Sequence, residues 1–386
     1  MLRDTFRDRF RARRHLIASV CAAAVAAVVL SVVLAERSGE TRTAADCPVQ
    51  ALVCKPGQLD TVTSSGPPAT TASTAPPQAD DARAPGASLP KPTTTAPPGT
   101  RSAPRTTAAA TASGPCETPG ACGFPDASTT GPRLPLKTVR SGDLTIRTDK
   151  EVIRGWDLTG SLDVYANDVT VIDSRIDSAN WWGVNLRPGY HGLRVLHNEI
   201  TARPGKGPDN GGVDYAVANM STSSVEVGWN DVSVFGNALS MGQGSIHDNY
   251  VHGIVPFVNQ GGEYQHADAV ISNGGGTGEL SIRHNTLLNP VPLDKGASAS
   301  IGLFADSAPV AHTTVDGNWL AGGAYALYGG GPGSHHIVVT GNIFSSQYHP
   351  HCGAYGPVTA WNFDGEGNRW SDNRMSDGTP VVPEKP

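Results

Sequence analysis

The sequence predicts an all-β solenoid from residue 134 onward, a stack of parallel strands wound turn upon turn. Three observations carry that prediction. One eight-residue unit, apolar-x-apolar-x-x-Asn-x-apolar, recurs along the region. Its apolar residues alternate with period two before the Asn, the spacing of a strand and not of a helix. Many of the chain's 45 glycines fall past residue 180 among recurring Val, Ile and Leu. There they serve tight turns between short strands.

The repeats align in order. Val169–Ile176 carries Ser174 at the Asn position, and Leu193–Ile200 carries Asn198. Val225–Val232 follows with Asn230, Gly244–Val251 with Asn249, Leu280–Leu287 with Asn285 and Thr313–Leu320 with Asn318. His336–Phe344, looser by one residue, carries Asn342, and the degenerate Phe363–Trp370 carries Asn368. Each Asn marks a bend, where its side chain can bond neighbouring backbone and tolerate left-handed φ. Stacked at successive turns, these residues form a buried hydrogen-bonded ladder. Spacings between them run from 19 to 36 residues, as expected when turns differ by loop insertions on one face.

A further strand follows each bend: Gly183–Leu186, Tyr215–Ala218, Ala238–Met241, Ala267–Ile271, Ser300–Phe304, Ala324–Tyr328 and Val358–Trp361. Two strands per turn over seven or eight turns describe a parallel β-helix. A β-sandwich would not repeat one Asn position, and a propeller blade needs about 40 residues and four strands. The repeated Val-x-Ile-x-x-Asn-x-Ile unit, covering about residues 140–370, resembles the right-handed parallel β-helix (pectin-lyase-like) superfamily of pectate lyases, polygalacturonases and mannuronan epimerases. That resemblance implies a polysaccharide laid in a groove across the stacked turns. The catalytic elements of its named families depart here. The polygalacturonase set and the pectate-lyase Trp-Ile-Asp-His element are both absent, so no catalytic subfamily carries over.

The rest of the chain reads differently. Residues 1–35 hold six Arg and two Asp, then an uncharged apolar run to Ala35. About 20 apolar residues suffice to cross a bilayer as a helix, with the Arg-rich side retained in the cytoplasm. A cleavable signal peptide is the alternative, with Val33-Leu34-Ala35 as its cleavage site. Both imply a domain outside the cell, membrane-anchored or secreted. Residues 36–133, rich in Pro, Thr and Ala, cannot bury enough apolar surface to fold and read as a disordered stalk. The solenoid is expected over 134–372 and a tail over 373–386. Cys47 with Cys54 and Cys116 with Cys122 form close pairs suited to an oxidising compartment, leaving Cys352 over. From Leu134 onward 15 Lys+Arg face 25 Asp+Glu, a net charge of −10 (15 − 25), which disfavours nucleic acid as a partner.

Chemistry is expected on the outward face of one sheet and the loops beside it. The densest polar cluster runs from Glu263 and Tyr264 through His266 to Asp268. Period two places His266 and Asp268 on one face, with Ala269 and Ile271 inward. Asp214 from an earlier turn and Asp306 from a later one stack near them. The inserts 203–212, 254–265 and 289–299 wall the cleft. His266 reads as a general acid or base. Asp268 and Asp214 orient it, hold a Ca²⁺ or protonate a leaving oxygen. Arg187 and Lys295 would neutralise a substrate carboxylate, as a uronate lyase needs, and Tyr215 would line the groove. Two functions follow: a polysaccharide lyase or glycoside hydrolase, or a non-catalytic glycan-binding module stacking sugars on Trp181, Trp182, Tyr215, Tyr264 and Tyr328. His197 and His284 share a repeat position and are expected as a surface stack.

Overall fold

A computed structural model describes residues 117–385. The helix expected over residues 1–35, most of the stalk and the first cysteine pair lie outside the described residues. Among the described residues, no helix is long and apolar enough to cross a membrane.

Short strands follow one another at every turn of the chain, and each third strand returns to the same sheet. Three parallel sheets result, of ten, nine and nine strands. Sheet 1 starts at Thr138–Ser141, sheet 2 at Leu144–Ile146 and sheet 3 at Val152–Arg154. The protein is a parallel β-helix with three strands per turn, not the two read from the repeat.

The reason is local. The residue immediately before each ladder position adopts positive φ: Asp173 at 50°, His197 at 52°, Trp229 at 56°, Asp248 at 54° and His284 at 49°. This left-handed step cuts the eight-residue unit in two. Its first apolar pair lies in sheet 3, and the apolar residue after the Asn opens a separate strand of sheet 1. The Asn itself does not take the left-handed conformation.

Three apolar ranks fill the interior. Sheet 3 supplies Val171, Val195, Val227, Ile246, Ile282, Val315 and Val339, stacked in register. Sheet 2 supplies Leu162, Val184, Val217, Leu239, Val270, Ile301 and Leu327, and sheet 1 supplies Ile176, Ile200, Val232, Val251, Leu287 and Leu320. All are buried.

The Asn ladder closes the corner between sheets 3 and 1. Asn285 Nδ2 donates to the Ile246 carbonyl (3.0 Å) and to Asn318 Oδ1 (2.9 Å), while its Oδ1 accepts from the backbone N–H and the amide of Asn249 (both 3.0 Å). The same pattern links Asn198, Asn230, Asn249, Asn318 and Asn342, and Ser174 ends the row, its N–H donating to Asn198 Oδ1 and its Oγ accepting from the Trp156 N–H. The last member is Asn373, whose Oδ1 accepts from Asn342 (2.8 Å), and not Asn368. Asn368 instead caps the preceding loop, with Oδ1 on the Ile337 N–H. Asn373 lies in the segment read as a tail. Arg374–Met375 after it pair with Ile343–Phe344 in sheet 1, and Trp370 Nε1 donates to the Val381 carbonyl.

Residues 117–133, read as stalk, lie against the solenoid. Phe124 stacks on His284, with ring centroids 5.6 Å apart, and approaches Trp319 at the same distance. Thr286 Oγ1 donates to the Pro125 carbonyl, Gly131 N–H to the Trp229 carbonyl, and Arg133 forms a two-pronged ion pair with Asp173. This strap roofs a small apolar cluster of Leu288, Trp319, Ala321 and Ile343 on the outside of sheet 1. Cys122 within it is disulfide-bonded, whereas Cys352 is free and buried. His197 and His284 lie in one row, but each stacks on another ring, His197 on Trp229 and His284 on Phe124.

Candidate functional site

Sheet 2 is flanked by the longest loops of the solenoid. The inserts after its sheet 1 neighbours hold one another: Gln260 N–H donates to Asp209 Oδ1 (2.8 Å), and the Asn210 amide to the Val258 carbonyl (3.1 Å). Gly296 packs against Tyr264 and Gln265, where any larger residue would collide with the Gln265 carbonyl. These inserts form one wall.

Asp268 sits at their foot, in the strand Ala267–Ser272, and is buried. Its strand steps out of register with the next between Ala267 and Asp268. Val270, in register with Leu239 and Ile301, takes the interior place expected for Ile271, and Ile271 is only half-buried. The Asp268 carboxyl lies beside the rank Ile271–Gly302–Tyr328. A Cβ on Gly302 would come within 3.1 Å of Asp268 Oδ1 and would strike the Phe304 ring, so the missing side chain at Gly302 makes room for both. With the Asn237 amide turned as its neighbours require, its nitrogen donates to Asp268 Oδ2 (3.1 Å) and the His266 carbonyl (2.8 Å). Its oxygen then accepts from Gln265 Nε2 (2.8 Å). Oδ1 has no hydrogen-bond partner of good geometry. Burial pushes the Asp268 pKa up to about 8; the nearby Ser298 hydroxyl and Ala299 N–H oppose the shift, and the charge of Asp306 adds to it. At neutral pH this carboxyl is protonated.

Around it the structure gathers part of the expected set. Asp214 is buried, its carbonyl accepting from Asn237 N–H (2.6 Å). Tyr215 has its pKa raised by burial, and further by the charges of Asp214, Asp209 and Asp268. Tyr328 is raised by burial and next by Asp268. Asp306 is exposed on the loop across the groove.

The remaining expectations are not met. His266 precedes the strand and is exposed while Asp268 is buried, so the two do not share a face. The period-two count does not reach His266, because the strand begins at Ala267. Among the described residues no hydrogen bond joins their side chains. Arg187 serves its own turn, 3.6 Å from Asp163 and over the rings of Tyr165 and Trp182. Lys295 is exposed in a short 3-10 turn, and Glu263 and Tyr264 are exposed at the tip of their insert. A Ca²⁺ does not fit here: Asp268 is protonated, and among the described residues no group of three or more His, Cys, Asp or Glu could hold a metal. Sequence reasoning missed Asn237, Gln265 and Gly302. Asn237 could have been found by aligning the sheet 2 strands, because it shares the rank of Asp268.

No protein family matches the chain, and no curated protein and no solved structure matches it.

Proposed function

We propose that this protein is an extracytoplasmic carbohydrate-active β-helix protein that lays a polysaccharide along the outer face of sheet 2 and cleaves it as a glycoside hydrolase. The observation that carries the reading is the buried carboxyl of Asp268 at the foot of the inserts beside sheet 2, which burial keeps protonated at neutral pH. A glycosidic oxygen leaves readily only when protonated, and a carboxyl that keeps its proton at neutral pH is the usual donor. Asn237 holds Oδ2, which leaves the proton on Oδ1; that oxygen is buried, so donating the proton requires the surrounding inserts to open onto it. Asp306, exposed and close enough for its charge to act on Asp268, supplies the second carboxylate, as base or nucleophile. Asp214 and Tyr215 line the earlier turns of the groove.

A lyase reading is less well supported. It requires a cation facing the substrate carboxylate, and Arg187 is held by Asp163 while Lys295 lies out in solvent. The placement outside the cell rests on the basic and apolar pattern of residues 1–35, through an anchor or a cleaved signal. A non-catalytic glycan binder is the second reading, favoured by the ring-to-ring contacts of Phe304, Tyr328, Tyr325 and Tyr355 at the later turns.

The test is a polysaccharide panel assayed for new reducing ends and, separately, for ultraviolet absorbance of an unsaturated product. The hydrolase reading expects reducing ends without unsaturation, lost in Asp268→Asn with glycan binding kept. Full activity in Asp268→Asn would remove Asp268 from the mechanism, and binding without any product would favour the binder.

A further inference from the structure

Resting on the glycan reading, we infer a second sugar-binding site at the C-terminal end of the same face, built on Tyr355 and Trp361 and taking a neutral pyranose segment of the same chain. The feature that points to it is a cavity of about 540 Å³ beyond the last strand of sheet 2, Gly356–Thr359. Tyr325, Tyr355 and Trp361 form its apolar side, and His351, Thr359 and Glu384 stand at its rim. Tyr355 is 66% exposed, the most exposed aromatic among the large apolar side chains that face solvent in the described residues. An aromatic ring of this size left open to water costs free energy unless something covers it.

Its surroundings show how the ring is held. Gly356 at φ 151° passes beside the Tyr325 ring, and a Cβ on Gly353 would come within 2.7 Å of Tyr325 Cα. The chain can fold around Tyr325 because Gly353 lacks a side chain and Gly356 can hold its positive φ. Tyr355 is thereby set 5.8 Å from Tyr325, ring to ring and tilted by 47°, so its face remains open.

The occupant follows from the chemistry of the walls. One face of a hexopyranose presents a layer of C–H groups that lies flat on an aromatic ring, while its hydroxyls project outward to polar groups at the rim. Sites of this kind combine an apolar floor with a few placed polar atoms. The rim pairs Glu384 with Lys385, opposite charges that favour neither a polyanion nor a polycation.

Continuity with the Asp268 groove makes the ligand a segment of the same chain. Tyr328 stands between the two sites: its ring lies 5.7 Å from that of Tyr325 and 5.0 Å from that of Phe304, which shares with Asp268 the space left open at Gly302. Three strand steps separate Asp268 from Gly356–Thr359 through Ala297–Leu303 and Tyr325–Gly329. At about 4.8 Å per step the two sites lie roughly 14 Å apart, a distance that only an oligosaccharide spans. The site therefore adds affinity for long chains and nothing for short ones.

The experiment measures binding of neutral disaccharides and hexasaccharides of glucose, xylose, mannose and N-acetylglucosamine by calorimetry, on the full chain and on Tyr355→Ala and Tyr355→Phe. The native protein is expected to bind its preferred hexasaccharide more tightly than the disaccharide. Tyr355→Ala should reduce that length-dependent gain about tenfold, the scale of a well-packed aromatic contact. Tyr355→Phe, which keeps the ring, should retain it. A gain unchanged in Tyr355→Ala overturns the second site and leaves the groove reading standing. Binding of no member of the series by the native protein overturns both. Because Tyr355 is largely exposed, thermal melting of Tyr355→Ala should match the native protein, which separates lost binding from lost folding.

Discussion

Raising the pH should loosen the strap that crosses the corner between sheets 3 and 1, and His284 is the group that responds. Its Nδ1 lies 2.6 Å from Asp248 Oδ1 and its Nε2 lies 3.0 Å from the Gly123 carbonyl. Both partners are acceptors, so both are satisfied only when the ring carries two protons. A neutral ring has one N–H; the charged Asp248 keeps it, and the Gly123 carbonyl then faces a lone pair. The hydrogen bond to Asp248, against the opposing effect of burial, raises the His284 pKa above 6.5, helped by the Asp248 charge and the Gly123 carbonyl. A raised folded pKa gives stabilisation that is complete below 6.5 and is lost as pH climbs through the folded value. Burial works to raise Asp248, but hydrogen bonds from His247 and His284 outweigh it and bring it down to about 2 from 3.8. Its contribution is complete above 3.8 and fades only as pH falls toward 2, so the strap should be held best between about pH 4 and pH 6.5. His247 also responds, yet it bonds Asp248 and Glu226 and makes no bond to the strap. One charge-assisted hydrogen bond is worth about 1.5–3 kcal/mol. With the His284 side chain 51% exposed, solvent screening reduces that to about 1 kcal/mol. Opening of the strap should then become about fivefold more frequent. The assay is hydrogen exchange of residues 119–133 at about pH 5.5 and about pH 8.5, corrected for the intrinsic rate. His284→Gln should abolish the difference. Equal protection at the two values in the native protein would refute the reasoning.

The ladder, the strap and Asp268 each make a further claim. Asn285→Leu strands the Asn249 N–H and the Ile246 carbonyl. At about 1–3 kcal/mol for each unpaired group, melting should fall by about 5–15 °C, and an unchanged transition would show the ladder to be dispensable at that turn. Deleting everything up to residue 133 uncovers Trp319, so melting should drop and tryptophan emission should shift to the red; a deletion that leaves both alone means that the strap contributes nothing. Asp268 is held neutral, with a folded value of about 8 against 3.8 when exposed, so its effect on stability is complete below 3.8 and is progressively lost as pH rises to about 8. Asp268→Asn cannot ionise, and should therefore melt above the native protein at pH 8 and not at pH 4; a uniform difference across that range would place the native carboxyl in its ordinary ionised state.

Much of the fold was legible because a solenoid repeats its physics at every turn. Val171, Val195 and Val227 must each fill the same interior rank, so the period-two pattern recurs wherever the chain passes that rank. Buried amides have few ways to be satisfied, so the Asn that follows is fixed as well. What the repeat conceals is the residue before it. Asp173, His197, Trp229 and Asp248 have no chemistry in common, only a positive φ, and nothing in their composition announces a strand break. Hence three strands read as two. The slip from Asn373 to Asn368 has a similar cause. Asn368 follows the glycine-rich Gly365-Glu366-Gly367, which looks like the bend it precedes, whereas the true unit, 368–375, keeps Trp370 and Met375 but has Asn368 itself where its first apolar residue should stand.

The site was harder to read because it depends on exceptions to the repeat. Asp268 was singled out, and it lies buried at the foot of the inserts beside sheet 2, for a reason that periodicity could not supply. Counting by two from Ile271 put His266 and Asp268 together on a solvent face. The strand begins only at Ala267, so His266 lies before it and in water, whereas Asp268 lies within it and is buried. What then encloses Asp268 comes from neighbouring turns: Asn237 from one side, and Gly302 with Phe304 from the other. These residues lie 31 positions before it and about as many after it, so only the stacked register brings them to it. The same logic explains why Arg187 was wrongly enlisted. Its charge suggested a substrate partner, yet Asp163, one turn earlier, had already claimed it. In a β-helix a side chain's meaning is set by the ranks above and below it. A candidate such as Asp268 is therefore picked out by vertical neighbours that leave its Oδ1 unsatisfied, and not by the residues beside it in sequence.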